Sequence, residues 1–192
     1  KKVLLSILSL VVLVFSACSN TAKVSDSEII VNLSVEPKTI DPSFNAQIYG
    51  VIYIQHVFEG LTTRDRNNQV VEGVAESWDI SSDGKIYTFH LRTNALWSDG
   101  KPVVAEDFVY SWRREVDPAV ASEFSYQHEP VKNARDITAG KKPVETLGVK
   151  AIDDYTLEVE LEAPTAYFLE LTAFPTYAPL RRDIIEEYGD SW

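Results

Sequence analysis

The sequence predicts a mixed α and β fold, and three observations carry this prediction. Apolar and polar residues alternate in two segments, 86–91 and 156–162, as they do in strands that bury one face. Between these segments, Phe108 and Trp112 stand four positions apart, which places them on one face of a helix. The composition is 45% hydrophobic and 11% aromatic, as in globular domains. The chain is therefore expected to fold with both kinds of element.

The first residues have the pattern of a secretory signal peptide. Lys1 and Lys2 precede an apolar run over residues 3–15, and small residues follow it before Cys18. The run is shorter than the roughly 20 apolar residues that a membrane-spanning helix needs. We predict that residues 1–17 are removed during export.

Cys18 is the only cysteine in the chain and stands at the predicted cleavage point. Residues 14–18, Val-Phe-Ser-Ala-Cys, resemble the lipobox of bacterial lipoproteins, in which the cysteine is acylated. The alternative is an ordinary signal peptide with a chance cysteine. Residues 18–27 are predicted to form a lipidated flexible tether, because the tract after Cys18 is polar and lacks aromatic residues. The expected location is the outer side of the cytoplasmic membrane, or the periplasm or outer membrane of a two-membrane host.

Charge and cysteine content exclude several classes of function. The chain has 18 basic and 29 acidic residues, a net charge of −11. Nucleic-acid binding needs basic patches that neutralise phosphates, so no nucleic-acid partner is expected. With Cys18 acylated, the folded part has no thiol for a disulfide, a nucleophile or a metal site.

The first predicted elements are a strand and a helix. Residues 28–33 are rich in β-branched residues, which indicates a buried strand that ends before Pro37. Residues 48–61 are apolar with helical spacing, and the pattern breaks near Gly60. His56 lies on this helix, so we expect it to be a hydrogen-bonded core residue.

Two hairpins and a helix follow. Residues 78–80 and 86–91 are joined across Asp83-Gly84, a strong hairpin signal, and the apolar set on the second strand is the expected inner face. A second Asp-Gly pair leads into a helix that ends at Asp117-Pro118. The stretch from there to Lys142 is predicted to be irregular. The residues expected on this inner face are Tyr87, Phe89 and Leu91.

The second hairpin consists of residues 147–152 and 156–162, joined across Asp153-Asp154. In its second strand, apolar residues alternate with three glutamates, as in a half-buried strand. A short helix is predicted to begin at Pro164.

No motif for catalysis, metal binding or phosphate binding is present in the sequence. The three histidines, His56, His90 and His128, stand apart from one another and from ligand-type spacings. No nucleophile elbow or glycine-rich phosphate loop occurs. We therefore predict no catalytic residue, no metal and no cofactor, and a protein that is not an enzyme.

Several motifs follow one another between residues 74 and 114. They are Val74-Ala75-Glu76-Ser77-Trp78, Asp83-Gly84, Tyr87-Thr88-Phe89-His90-Leu91-Arg92, Trp97-Ser98-Asp99-Gly100, Pro102-Val103 and Asp107-Phe108-Val109-Tyr110-Ser111-Trp112-Arg113-Arg114. This block resembles the family 5 extracellular solute-binding proteins of ABC transporters. Residues 140–143 and 147–154 look especially like the oligopeptide-binding branch. The resemblance extends over nearly the whole chain after the tether.

The resemblance implies a class II periplasmic-binding-protein fold with two lobes, of which this chain holds the N-terminal portion. It places the start of the first lobe at residues 28–58, a smaller inserted α+β domain at 59–181 and a return to the first lobe at 182–192. The second lobe would lie beyond Trp192, so residues 18–192 alone are expected to bind ligand weakly or not at all.

The resemblance also implies a ligand and its contacts. Family members hold a peptide as an extra strand and accept varied side chains in hydrated pockets. By position, the backbone contact corresponds to Ala46, Gln47 and Ile48, and pocket positions correspond to Phe124 and Phe174. Plain core packing is the alternative for the two phenylalanines.

The implied function is capture of oligopeptides by a monomeric lipoprotein that delivers them to an ABC permease and ATPase complex, with Cys18 holding it at the membrane. One alternative is the same fold with another solute, such as nickel, a sugar or a signalling peptide. The other is a sensor or adhesion lipoprotein without transport.

Overall fold

The computed structural model describes residue 32 and residues 35–192. The predicted signal peptide, the lipidated cysteine, the tether and most of the strand predicted at 28–33 lie outside the described residues. Residues 35–192 belong to one compact unit. Within the described part, no helix has both the length and the apolar character needed to cross a bilayer.

The unit contains both helices and strands, which confirms the predicted mixed fold. In chain order the elements are α1 (Ile48–Val57), β1 (Thr62–Arg64), β2 (Val70–Glu72), β3 (Ala75–Ile80), β4 (Ile86–Leu91), α2 (Ala105–Val116), α3 (Ala134–Thr138), β5 (Val149–Asp153), β6 (Thr156–Glu160), α4 (Phe168–Leu171) and α5 (Arg182–Tyr188).

Strands β3 to β6 form an antiparallel sheet with the order β3-β4-β6-β5. The two predicted hairpins are confirmed, and they lie side by side through the pairing of β4 with β6. Phe89 is opposite Leu157 and Tyr87 is opposite Val159. The first turn requires glycine because Gly84 has a φ of +70°, a backbone conformation that residues with a Cβ rarely adopt. Strands β1 and β2 pair separately.

The core lies between the sheet and helix α2. The apolar sets of β4 and β6 are buried, as alternation predicts, and α2 packs against β5 and β6. Phe108 and Trp112 of α2 are fully buried in the same cluster. At the start of α2, Val104 offers no side-chain cap. The Asp107 carboxylate instead accepts the Val104 N–H at 3.0 Å and the Trp97 indole N–H at 3.0 Å.

The position predicted for His56 is wrong. Helix α1 is apolar on all sides, but only Gly50 and Ile54 are buried. His56 is exposed, and its Nδ1 contacts the Ile52 carbonyl at 2.7 Å. A helix that is apolar all round has no periodicity that distinguishes its buried face, so spacing could not place His56.

The segment between Pro118 and Lys142 is more regular than predicted. It contains a 3₁₀ helix, Ser125–His128, and helix α3. Helix α3 has only five residues and begins after Asn133, whose φ is +67°. An element of little more than one turn is too short for a periodic pattern, which explains the missed prediction.

Candidate functional site

The segment Ala46–Ile48 follows a turn at residues 41–45, in which all residues but Phe44 are buried, and ends at the first residue of helix α1. Ala46 is exposed, Gln47 is half-buried, and Ile48 is 69% exposed. Gln47 has φ −115° and ψ 136°, so its backbone is extended. Among the described residues, the N–H and C=O of Ala46 and the N–H of Ile48 form no hydrogen bond. This segment therefore presents main-chain groups that could pair with another extended strand.

Asn45 fixes the orientation of this segment. Its side-chain amide donates to the Gln47 carbonyl at 3.1 Å and accepts the Gln47 N–H at 3.4 Å. The Gln47 side chain also accepts the N–H of Lys38 at 3.1 Å. A Cβ at Gly50 would overlap the Asn45 amide, so glycine is needed where the amide meets the helix.

The first residue of this turn, Asp41, forms an ion pair with Arg114. The guanidinium donates to Oδ1 at 3.0 Å and to Oδ2 at 2.7 Å, and the Trp192 indole N–H donates to Oδ2 at 3.1 Å. The two charged side chains are only 7% and 11% exposed. The Phe44 ring lies over the guanidinium, 5.0 Å away. The turn is therefore attached to the end of helix α2.

Glu115, the next residue of α2, is a buried acid. Its Oε1 accepts a hydrogen bond from the Ser122 hydroxyl, and its Oε2 has no partner within the described residues. Burial raises the pKa of Glu115 to about 7, although the hydrogen bond from Ser122 partly opposes this shift.

A second surface feature is an open groove of about 770 Å³ that contains Phe174. Phe174 is 41% exposed and shares the groove with Val57 and Trp97. The ion pair between Arg92 and Glu59 lines another part of it. The groove therefore combines apolar walls with a charged pair.

The five peptide-contact residues predicted from the resemblance lie in three places. Ala46 and Gln47 directly precede α1, and Ile48 is its first residue. Phe174 lines the groove, whereas Phe124 lies outside it, half-buried, with its ring 6.0 Å from that of Tyr126.

No arrangement of side chains in the described part resembles a metal centre. No group of three or more potential ligands from His, Cys, Asp and Glu occurs there. His90 contacts Asp79 at 2.9 Å on the sheet surface. His128 is fully buried, and burial lowers its pKa to about 3.

Sequence reasoning missed the Asp41–Arg114 pair and the buried Glu115. Asp41 and Arg114 are 73 positions apart, so no local spacing connects them. A signal for Glu115 was present, because Phe108, Trp112 and Glu115 follow the i, i+4, i+7 spacing of one helix face. That spacing places a carboxyl group on the buried face.

The comparisons with known proteins agree with this architecture. Residues 69–191 match the family described as bacterial extracellular solute-binding proteins, family 5 middle. The chain is 45% identical over 166 residues to the periplasmic oligopeptide-binding protein OppA of Escherichia coli K12, which covers 85% of this chain and 30% of that protein. It is also 45% identical over 159 residues to the probable deoxycholate-binding periplasmic protein YgiS of the same organism. This match covers 82% of this chain and 30% of that protein.

A solved structure shows the same fold. The structure of Haemophilus influenzae OppA in complex with the peptide RPPGFSPFR matches with a TM-score of 0.81 and 41% identity, over 85% of this chain and 32% of that one. The chain thus has the class II periplasmic-binding-protein fold and spans about a third of the length of these relatives. It belongs to the bacterial extracellular solute-binding proteins of family 5.

Proposed function

We propose that this chain belongs to a solute-binding protein that captures oligopeptides for an ABC importer. The observation that carries the proposal is the segment Ala46–Ile48. The N–H and C=O of Ala46 and the N–H of Ile48 form no hydrogen bond among the described residues, while Asn45 fixes the extended Gln47 between them. A peptide that adds a strand at such a segment gains affinity from backbone hydrogen bonds, which place little demand on its sequence.

Relatives support a peptide as the ligand. One that is 45% identical is named for oligopeptide binding, and a structural match holds a nine-residue peptide. In our proposal, the segment Ala46, Gln47 and Ile48 contacts the peptide backbone. The pairing groups are the N–H and C=O of Ala46 and the N–H of Ile48, since both main-chain groups of Gln47 are already bonded within the protein. Phe124 and Phe174 line pockets for the peptide's side chains. Water in such pockets can bridge polar side chains at little cost.

The remaining parts of the proposal concern the whole protein. Export, acylation of Cys18 and delivery to a permease and ATPase complex fit the pattern of residues 1–27. The peptide would lie in a cleft between two lobes, with residues 28–58 and 182–192 in the first lobe and 59–181 inserted. The protein would act as a monomer and catalyse no reaction.

Calorimetric titration of the full-length protein with a mixed pool of tripeptides to pentapeptides tests peptide binding. We expect heat at micromolar concentration. Replacement of Ala46 by proline removes an N–H that no intramolecular bond uses, so affinity should fall while the folded structure remains. Replacement of Ala46 by serine keeps the N–H and should leave affinity near that of the wild type. A wild-type protein that releases no heat would falsify the proposal.

Deoxycholate is a second candidate ligand, because a relative that is also 45% identical is named for binding it. The same calorimeter distinguishes the two. Saturable binding of deoxycholate below its micellar concentration, with no heat from the peptide pool, would favour the bile salt.

A further inference from the structure

Arg114 is distant in sequence from the segment Ala46–Ile48, but a series of contacts connects the two. The series begins with the Arg114–Asp41 pair, in which both carboxylate oxygens accept hydrogen bonds from the guanidinium. Exposed ion pairs contribute little to stability, but this pair is bidentate and nearly buried. It therefore fixes the position of Asp41 relative to helix α2.

Asp41 in turn organises the residues that follow it. Its Oδ1 accepts the N–H of Ser43 at 2.9 Å, and its carbonyl accepts the N–H groups of Phe44 at 3.1 Å and Asn45 at 3.0 Å. Phe44 also packs over the Arg114 guanidinium. Arg114 thus contacts this turn through an ion pair and a ring.

Asn45 connects the turn to the candidate binding segment. Asn45 is buried, and both ends of its side-chain amide bond to the main chain of Gln47. Gln47 is the extended residue at the centre of Ala46–Ile48. Each step between Arg114 and Gln47 is therefore a direct contact.

We propose that Arg114 is a positioning residue for peptide binding, which holds Gln47 in its extended conformation so that Ala46 and Ile48 present their unbonded main-chain groups to a peptide. The inference rests on the proposed function. Arg114 does not touch the peptide in this proposal and acts through Asp41 and Asn45. A segment held in its binding conformation has less entropy to lose when the ligand arrives, so affinity rises without a new contact.

Replacement of Arg114 by glutamine in the full-length protein, followed by two measurements, tests the inference. The first is residue-resolved amide hydrogen exchange at Ser43, Asn45 and Gln47, whose N–H groups are bonded within the turn. The second is peptide affinity by calorimetry. We expect protection at these amides and peptide affinity each to fall at least about tenfold, since hydrogen bonds to charged groups are among the stronger ones.

Arg181→Gln is the matched control. The Arg181 side chain is 12% exposed and is paired with Asp99 and Asp183, but it does not contact the turn. This replacement should lower the overall stability of the protein. Amide protection in the turn and peptide affinity should both stay near the wild-type values. Arg114→Lys keeps the charge without the bidentate geometry, so an intermediate result is expected.

Each outcome decides a separate point. Equal losses of protection in Arg114→Gln and Arg181→Gln would overturn the inference, since the effect would then be general destabilisation. Lost protection with unchanged affinity would also overturn it, because Arg114 would then order the turn without aiding binding. A wild-type protein that binds no peptide contradicts the proposed function, while hydrogen exchange still decides whether Arg114 orders the segment.

Discussion

The imidazole ring of His128 is stacked on the phenol ring of Tyr177, with centroids 4.0 Å apart and planes 10° apart. Trp112 meets the imidazole edge-on at 5.7 Å. Both nitrogens of the buried imidazole lack a hydrogen-bond partner within the described residues. Burial lowers the pKa of His128 to about 3, so the ring is neutral in the folded protein.

His128 is predicted to destabilise the protein in acid. Above pH 6.5 the ring is neutral in both folded and unfolded chains, so it has no pH-dependent effect. As the pH falls below 6.5, the unfolded chain takes up a proton that the folded chain excludes. Between pH 6.5 and 4.5 this lowers the free energy of unfolding by about 2 kcal/mol. In His128→Phe, the free energy of unfolding measured with urea should not show this decrease.

The phenylalanine variant should also be tolerated at pH 7. It replaces a ring whose nitrogens have no partners with an apolar ring of similar shape, which is often close to neutral. His90→Phe is the control, because His90 lies on the sheet surface beside Asp79. Unchanged acid sensitivity in His128→Phe would show that another group is responsible.

Glu115 is predicted to have the opposite pH dependence. Its pKa is raised by burial to about 7, so its carboxyl group favours the protonated form when folded. The contribution of this preference to the free energy of unfolding is fully present below pH 4.5. About 3 kcal/mol of it is lost as the pH rises to about 7. Charged groups facing it are Arg114 and Asp41, and its charge also affects Tyr177.

Substitution of Glu115 by glutamine should remove this loss and leave the protein more stable than the wild type at pH 8. The exposed Glu106 of the same helix provides the control variant Glu106→Gln. In the wild type the effects of His128 and Glu115 oppose each other between pH 4.5 and 6.5. The free energy of unfolding of the wild type should therefore change little over that pH range. As the pH falls through the range, it should rise in His128→Phe and decrease in Glu115→Gln.

Gly50→Ala should destabilise the turn before helix α1. Alanine gains about 1 kcal/mol in helix propensity, but its Cβ overlaps the Asn45 amide, and overpacking costs about 1–3 kcal/mol. A double-mutant cycle with Asn45→Ala measures the contact, since a shorter residue 45 leaves room for the methyl group. The two changes should be less destabilising together than the sum of each alone. Strict additivity would mean that the two residues do not compete for space.

Cys18→Ala tests the membrane anchor. We expect the exported variant to appear in the aqueous fraction, because the proposed acyl chains, each worth about 0.8 kcal/mol per buried CH₂, would be absent. Ser19→Ala is the matched control and should stay with membranes. If the Cys18 variant also stays with membranes, anchoring does not depend on this cysteine.

Much of the sheet could be predicted from the sequence. Alternation has a period of two, so the inner face of β4 follows from Tyr87, Phe89 and Leu91 without knowledge of the fold. The Asp83-Gly84 turn is equally local, because one residue must adopt a positive φ. In α2, the spacing of Phe108 and Trp112 identifies the buried stripe.

The candidate site was less predictable. The resemblance pointed to Ala46–Ile48 and Phe174, but gave no indication of what holds the segment in place. Asp41 does so through its ion pair with Arg114, and Asn45 does so through its hydrogen bonds to Gln47. Asp41 and Arg114 are far apart in the chain. Periodicity describes neighbours on one element and carries no information on such a pair.

The histidines show the division between what the sequence and the tertiary structure determine. The sequence by itself determined the fold class, the hairpins, the stripe of α2 and the family. Only the tertiary structure decided that His128 is buried and His56 is exposed. The physical reason is that burial depends on which surfaces pack together: Trp112 and Tyr177 from distant segments enclose His128, whereas only part of α1 is covered.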